Sequence, residues 1–332
     1  MPDADNNHRF PFYEGVCTIR FTYGIGKSFA GFFNSSDPFL NFITDSLKTN
    51  TIYFSIGAGN GGFSLHNNAA NTTGYVKQFI LLPAINYFTK SGFNFGVTGF
   101  ITNDTTHQPK IYQAGITAGY SHYGKKINTG ISYTRFIRIG SAYNSKSLYQ
   151  NELYAFVNKA KGFIRPGISV GFTNGNYKEV SLVSYTRTVH LSFPLPYGRD
   201  TTFTLKSRDS TNNKTSYFSI SANAKHEFNF KKIFNKKDEL GISPSLMINF
   251  ESDQLTQTHT NAIFDRYRKL NQITRIEATN KFRVQSLALS FDVMYGLGKF
   301  FFQSTLYFDY YLPQTTMQRW STIFSVTAGV SF

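Results

Sequence analysis

The sequence predicts an all-β protein, a transmembrane antiparallel up-and-down β-barrel of roughly 12 to 14 strands. Three observations predict it. Apolar residues recur with a period of two in segments of membrane-crossing length, the connections between those segments alternate short and long, and aromatic residues are abundant while charges are scarce. Of 332 residues, 17% are aromatic (35 Phe, 21 Tyr and a single Trp) and 16% are charged, against about 25% charged in an average globular domain. No apolar run approaches the roughly 18 residues that a spanning helix needs. A chain that crosses lipid without such helices must close into a barrel, because lipid offers no partner for an open strand edge.

Taken in order, residues 1–50 fit the barrel least. Residues 16–25 alternate like a strand, and Ser36-Asp37-Pro38 caps a short amphipathic helix over 37–48. This segment is expected to be a plug or a periplasmic piece; the alternative is that 16–25 joins the wall as an added strand. From residue 51 onward, the segments 51–64, 74–88, 92–102, 111–122, 127–139, 148–158, 163–173, 215–229, 240–252, 282–294, 300–311 and 320–332 make about 12 strands, an even number as such barrels usually have. The pattern is plainest in four of the last five. Phe218, Ile220, Ala222 and Ala224 alternate with Ser219, Ser221, Asn223 and Lys225; Leu240, Ile242, Leu246 and Ile248 with Gly241, Ser243, Met247 and Asn249. Phe300, Phe302, Leu306 and Phe308 likewise alternate with Gln303, Thr305, Tyr307 and Asp309, and Phe324, Val326, Ala328, Val330 and Phe332 with Ser325, Thr327, Gly329 and Ser331. Each strand therefore carries one apolar face for lipid and one small or polar face for the lumen.

Short connections fall near 89–92, 123–126, 158–162, 230–239 and 295–299, and longer ones alternate with them, the longest being 174–214 and 253–280. The first of these two alternates over 177–193 and 201–207 like a hairpin projecting above the membrane; both are expected as extracellular loops and candidate ligand surfaces. Ten lysines (90, 125, 126, 159, 161, 231, 232, 236, 237 and 299) sit in or beside the short turns. They either meet anionic lipid head groups or simply solvate tight turns.

The C-terminal stretch 322–332, ending on Phe332 with alternate apolar positions Phe324, Val326, Ala328 and Val330 behind it, resembles the assembly signal of bacterial outer-membrane barrels. That resemblance covers roughly 51–332 and implies insertion by the barrel-assembly machinery and residence in the outer membrane. The phrases 86–93 (Asn-Tyr-Phe-Thr-Lys-Ser-Gly-Phe) and 63–68 (Phe-Ser-Leu-His-Asn-Asn) look like uncharacterised barrels of Bacteroidota. Neither carries a catalytic or ligand motif. The opening eight residues have no basic start and no apolar core, so the expectation is a mature or truncated form of an exported chain.

The chemistry is sparse. On the inner faces the sequence places Glu152, Arg165, Lys225, Glu227, Glu251, Asp292 and Asp309, which either line an aqueous path or pair across the lumen. Arg266, Arg268, Lys269 and Arg275 could meet lipopolysaccharide phosphates through charge-assisted hydrogen bonds. His190 and Ser192 lie on one face of a strand, a spacing like that of the outer-membrane phospholipase, but nothing around them matches further. The lone Cys17 and scattered histidines give no metal site, and no cofactor is expected. The formal net charge of +15 raises nucleic acid as a partner, yet the aromatics that would stack bases are assigned to lipid, so none is expected. The reading is an outer-membrane barrel for passage or binding of a small polar solute, or a non-conducting barrel that scaffolds surface or periplasmic partners; an enzyme is not expected.

Overall fold

A computed structural model describes residues 50–66, 73–103, 108–139, 150–191, 199–235, 238–264, 269–312 and 320–332. The expected N-terminal plug with its 37–48 helix, and Arg266 and Arg268, lie outside the described residues. Thirteen strands follow one another: β1 (Thr51–His66), β2 (Thr73–Phe88), β3 (Phe93–Asn103), β4 (Pro109–Tyr123), β5 (Ile127–Arg138), β6 (Asn151–Lys159), β7 (Arg165–Leu191), β8 (Arg199–Lys225), β9 (Phe228–Lys231), β10 (Asp238–Phe264), β11 (Lys269–Leu297), β12 (Phe300–Tyr311) and β13 (Trp320–Ser331). Each main strand pairs antiparallel with the next, and β13 returns to β1 with Tyr53 opposite Ser331 and Gly59 opposite Ser325. The wall is a closed antiparallel barrel of 12 strands. The short β9 continues the path of β8 and pairs with the foot of β10, Ile242 opposite Phe228.

The alternation along each strand sets the two faces. On β1, Ile52, Phe54 and Ile56 point outward and stay exposed while Thr51 and Tyr53 point inward and are buried. The same holds on β7, where Ile168, Val170 and Phe172 are exposed and Ser169 and Thr173 are buried. Exposed Leu, Ile, Val and Phe around the whole circumference would be intolerable in water and are what a lipid-facing band requires. The C-terminal Phe324 and Phe332 stand in that band, with Ala328 opposite Ile56 and Val330 opposite Phe54.

One expectation about the connections is corrected. Residues 174–214 and 253–280 are not loops for most of their length: β7, β8 and β10 each run 27 residues and β11 runs 29. A membrane crossing takes only about 9–11 residues. The surplus is rich in Thr, Val and Ile, which favour strand, and pairing satisfies backbone groups that a long loop would leave to water. Above Asn174 and Ser286, where β6 and β12 stop pairing, the four long strands continue as a sheet in the order β7-β8-β10-β11. Among the described residues its two outer edges carry no neighbour.

At the opposite rim the turns are short. Gly92, Gly162 and Gly298 adopt positive φ there, as does Lys232. The turn before β10 is organised by Asp238, whose carboxylate accepts the backbone N–H groups of Ile233 (2.8 Å), Phe234 (2.7 Å) and Asn235 (2.9 Å) and the Tyr295 hydroxyl (3.3 Å). Its burial against the turn would raise the carboxyl, but these donors outweigh that and hold it below the usual carboxylate range. The eight lysines of this rim that are described are all exposed, and Lys299 lies 5.4 Å over the ring of Phe332.

Candidate functional site

The lumen is the one feature toward which every strand contributes a face, and it has two unlike walls. On the wall built by β8, β10, β11 and β12 the inward side chains form a hydrogen-bonded polar lattice. Ser221 donates to Asn249 (2.7 Å), and the Asn249 amide donates to Ser286 (2.9 Å) and to the Tyr307 hydroxyl (3.2 Å). Tyr307 reaches Asp309 (3.5 Å), while Asp292 accepts from Thr305 (2.7 Å) and Ser290 (3.1 Å). Lys225 acts electrostatically on Asp292. Such a lattice fixes its own side chains and costs little only because its members are satisfied together.

The residues expected on the inner face can now be placed. Glu152, Lys225 and Asp309 are 2%, 3% and 1% exposed, and Glu251, on β10, is buried as well. Arg165 and Glu227 form an ion pair near the short-turn rim. Asp292 lies within the lattice. Arg275 and Lys269 are on β11 in the sheet above the barrel, where Arg275 pairs with Glu277 and both remain exposed. His190 is near the top of β7, opposite Asp200, and Ser192 lies outside the described residues.

The other wall departs from the expectation of a small or polar lumen. Strands β1 to β6, with Phe301 of β12, turn rings inward: Tyr53 packs edge-on against Phe88 (5.4 Å) and Phe301 (6.2 Å), and Phe100 packs edge-on against Phe136 (6.0 Å) and tilted against Tyr112 (6.2 Å). Room for these rings comes from inward glycines on neighbouring strands. A Cβ on Gly130 would lie 2.6 Å from Cζ of Phe156, and one on Gly329 would lie 2.5 Å from Cε1 of Phe301. The sequence signal was a glycine on the lumen parity directly across from an aromatic on the same parity. Alternation alone misses it, because it gives Phe to lipid and puts only tyrosines such as Tyr307 on the polar face.

Against the aromatic wall, lined by β12, β13 and β1 to β6, is a cavity of about 180 Å³. Phe88, Phe100, Phe136, Phe156, Tyr154 and Phe301 are among its apolar lining, and Asn86, Asn94, Gln303, Glu152 and several Ser and Thr side chains are its polar lining. A mostly apolar hollow with a few convergent polar groups is the usual form of a small-molecule site.

A second constellation lies in the sheet above the barrel, where the Thr211 hydroxyl meets Nδ1 of His259 at 3.1 Å and Nε2 stands 4.0 Å from Asp209. Thr211 is 9% exposed, and its contact with His259 ties β8 to β10.

No family model matches the chain, and no curated protein matches it. Among solved structures, a loop-deletion form of OmpT, an outer membrane protein of Vibrio cholerae, is 6% identical, with 86% of this chain and 99% of that one covered at a TM-score of 0.24. The CymD monoaromatic hydrocarbon channel is 8% identical over 90% and 92% at 0.25. The outer membrane channel DcaP of Acinetobacter baumannii is 8% identical over 86% and 98% at 0.21. Likenesses of this size carry no argument about activity, and the barrel rests on its own strand pairing.

Proposed function

We propose that this chain is an outer-membrane barrel whose lumen binds, and passes, a small solute with an apolar body and at least one polar group. One observation carries the reading: the cavity is walled by inward rings of β2, β3, β5, β6 and β12, with Asn86, Asn94, Gln303 and Glu152 among the polar side chains that line it. A solute seated there buries its apolar face on the rings and satisfies its polar group on the Asn, Gln, Thr and Glu side chains of the rim of the cavity. This sharpens the polar solute expected from composition, because the inward rings favour a solute that is only partly polar. The membrane setting is supported by the continuous exposed apolar band and by the basic rim.

The test is single-channel recording of the refolded full chain in a planar bilayer, with 2-phenylethanol as the solute and thermal unfolding of the same protein read in parallel. Conductance steps that the alcohol reduces, together with a raised unfolding temperature, are expected. Silence with a raised unfolding temperature leaves binding and removes passage; no effect in either assay overturns the reading. A second reading, a barrel that holds a surface partner, is favoured by the unneighboured edges of the four-stranded sheet above the membrane, which offer backbone groups for strand addition.

A further inference from the structure

We propose that the solute leaves the lumen cavity sideways, between β2 and β3 at Pro83 and Gly99, into the hydrocarbon of the membrane, and is therefore an uncharged, lipid-soluble molecule. The proposal rests on the reading of the cavity as a solute site and adds the route that this solute takes. A break in the wall carries it. Ala84 stands opposite Thr98 and Leu81 opposite Ile101, but between them the ladder passes over Leu82 with Phe100 and Pro83 with Gly99. The register is the same on both sides of the break. Among the described residues this is the one place in the wall where rungs are absent without a shift of register.

Proline is the cause. The Thr89 N–H donates to the Phe93 carbonyl at 2.8 Å, and bonding positions recur at every second pair of an antiparallel ladder, so Tyr87–Phe95, Ile85–Val97 and Pro83–Gly99 are bonding positions. At the last of these the pyrrolidine nitrogen has no hydrogen to give, and the Gly99 carbonyl gets no donor from β2. Lipid offers it no water in exchange. Pro166 and Pro244 interrupt nothing, because they stand beyond the last pairs of their ladders with β6 and β8, Gly167 with Asn158 and Ser245 with Lys225. Pro83 stands in mid-wall, with Ile56 opposite it on β1.

Strand β3 is loosened on its far side at the same level. Gln113 stands opposite Phe100 and Ile111 opposite Ile101, so Tyr112 is an extra residue on β4, and a bulge of this kind disrupts the ladder locally and bends the strand. The two faces of the break meet different surroundings. Leu82, Ala84, Thr98 and Phe100 line the cavity, so alternation turns Pro83 and Gly99 to the lipid. Gly99 has no side chain, and a Cβ there would lie 3.2 Å from Cγ of Pro83, so the proline ring is what lies over it. Cavity and membrane are thus divided by Leu82 and Phe100 on one face and by a single ring on the other, across two strands that lack a bond between them. An uncharged solute that parts Leu82 from Phe100 meets hydrocarbon within the thickness of the wall, whereas a charged one would have to give up its hydration there.

The experiment uses the full chain in vesicles whose outer leaflet is lipopolysaccharide, with 1-naphthol, a neutral apolar body carrying one hydroxyl, as the probe. Calorimetry in detergent micelles reads binding, and stopped-flow emission, which changes as the probe passes from water into hydrocarbon, reads entry into the bilayer. Two variants close the break. Pro83→Cys with Gly99→Cys, in a Cys17→Ser background that removes the chain's single native cysteine, can be oxidised and reduced again: opposite Cα atoms at a bonding position are about 5.5 Å apart, within the roughly 4.4–6.8 Å that a disulfide spans. Pro83→Val restores the missing donor. Wild type is expected to speed entry over protein-free vesicles, and oxidation of the cysteine pair should abolish that gain until the pair is reduced. Pro83→Val should lower the gain about 5-fold, the shift in population that one added inter-strand hydrogen bond produces. If the cysteine pair does not fold, as judged by heat-modifiable migration, Pro83→Val decides by itself. A gain that either closure leaves unchanged, or no gain from a protein that binds the probe, overturns the sideways route while leaving the solute site standing. No binding in micelles removes the solute site and the route together.

Discussion

Replacing Gly130 by alanine should destabilise the barrel through one ring. Gly130 on β5 stands directly opposite Phe156 on β6. The added methyl carbon would sit 2.6 Å from Cζ of that ring and 3.0 Å from Oγ of Ser121, with no backbone atom among its nearest contacts. Overpacking of this kind costs about 1–3 kcal/mol. Removing a glycine from a strand interior returns about 0.5–1 kcal/mol. The net expectation is a loss of about 0–2.5 kcal/mol, the difference of those two ranges. In a Phe156→Leu background the obstructing ring atoms are gone, and Gly130→Ala should become neutral or slightly stabilising. The coupling in the double-mutant cycle is then about 1–2 kcal/mol. Urea unfolding in lipid vesicles, followed by the single Trp, which is Trp320 and exposed at the start of β13, measures all four proteins. Gly329 supplies the control. A Cβ there would also lie 2.6 Å from the backbone oxygen of Phe54, so Gly329→Ala should remain destabilising after Phe301→Leu. An equal cost of Gly130→Ala with and without the Phe156 ring would refute the account of how the aromatic wall is made.

Three other perturbations probe different parts of the molecule. Lys225→Met should destabilise the barrel because it removes a cation that acts on half-buried Asp292, and Lys225→Met with Asp292→Asn should recover part of that loss in the same urea assay. Asp238→Asn tests the turn before β10. A carboxyl held below its ordinary value stabilises the fold fully above the unfolded value of about 4 and loses that contribution as pH falls through the lowered folded value, so wild type should weaken between pH 6 and pH 3 by more than the Asn variant does. Finally, Ile56→Arg, outward and exposed near the middle of β1, should cost about 2–4 kcal/mol in lipid, whereas Phe163→Arg at the rim should cost about 0–1 kcal/mol; similar costs at the two positions would remove the lipid band from the middle of the wall.

The parts of the fold that could be read from the sequence are those where one physical constraint acts alone. Ile52, Phe54 and Ile56 or Phe324, Ala328 and Val330 face lipid, lipid asks only that they be apolar, and the period of two records it. The lumen is subject to two constraints at once. Hydrogen bonding favours polar residues such as Asn249 and Thr305, and volume has to be filled in a barrel too narrow to hold only water. Phe100, Phe136, Phe156 and Phe301 answer the second demand, so they occupy positions where hydropathy alone expects Ser or Thr. The long strands were hidden for a related reason. Residues 253–264 and 269–280 alternate Thr, Gln and charged groups with few large apolar residues, because above the membrane neither sheet face meets lipid, and the pairing in register of Asp253 with Asn280 and Phe264 with Lys269 leaves little trace in hydropathy.

The division of the lumen also explains why a ligand space lies against the rings and not against the polar lattice. Asn249 binds three neighbours on β8, β11 and β12, and Asp292 binds two. Each bond fixes a side chain at close range, so the wall carrying them closes over itself. Rings pack with looser rules. Edge-on contacts at 5.4 to 6.2 Å between Tyr53, Phe88 and Phe301 fill space only where a neighbouring glycine admits the ring, and the volume between such pairs is left for something else. A substitution that adds volume at Gly130 should therefore close the cavity before it unfolds the barrel, and ligand binding by Gly130→Ala should fall by more than its stability does.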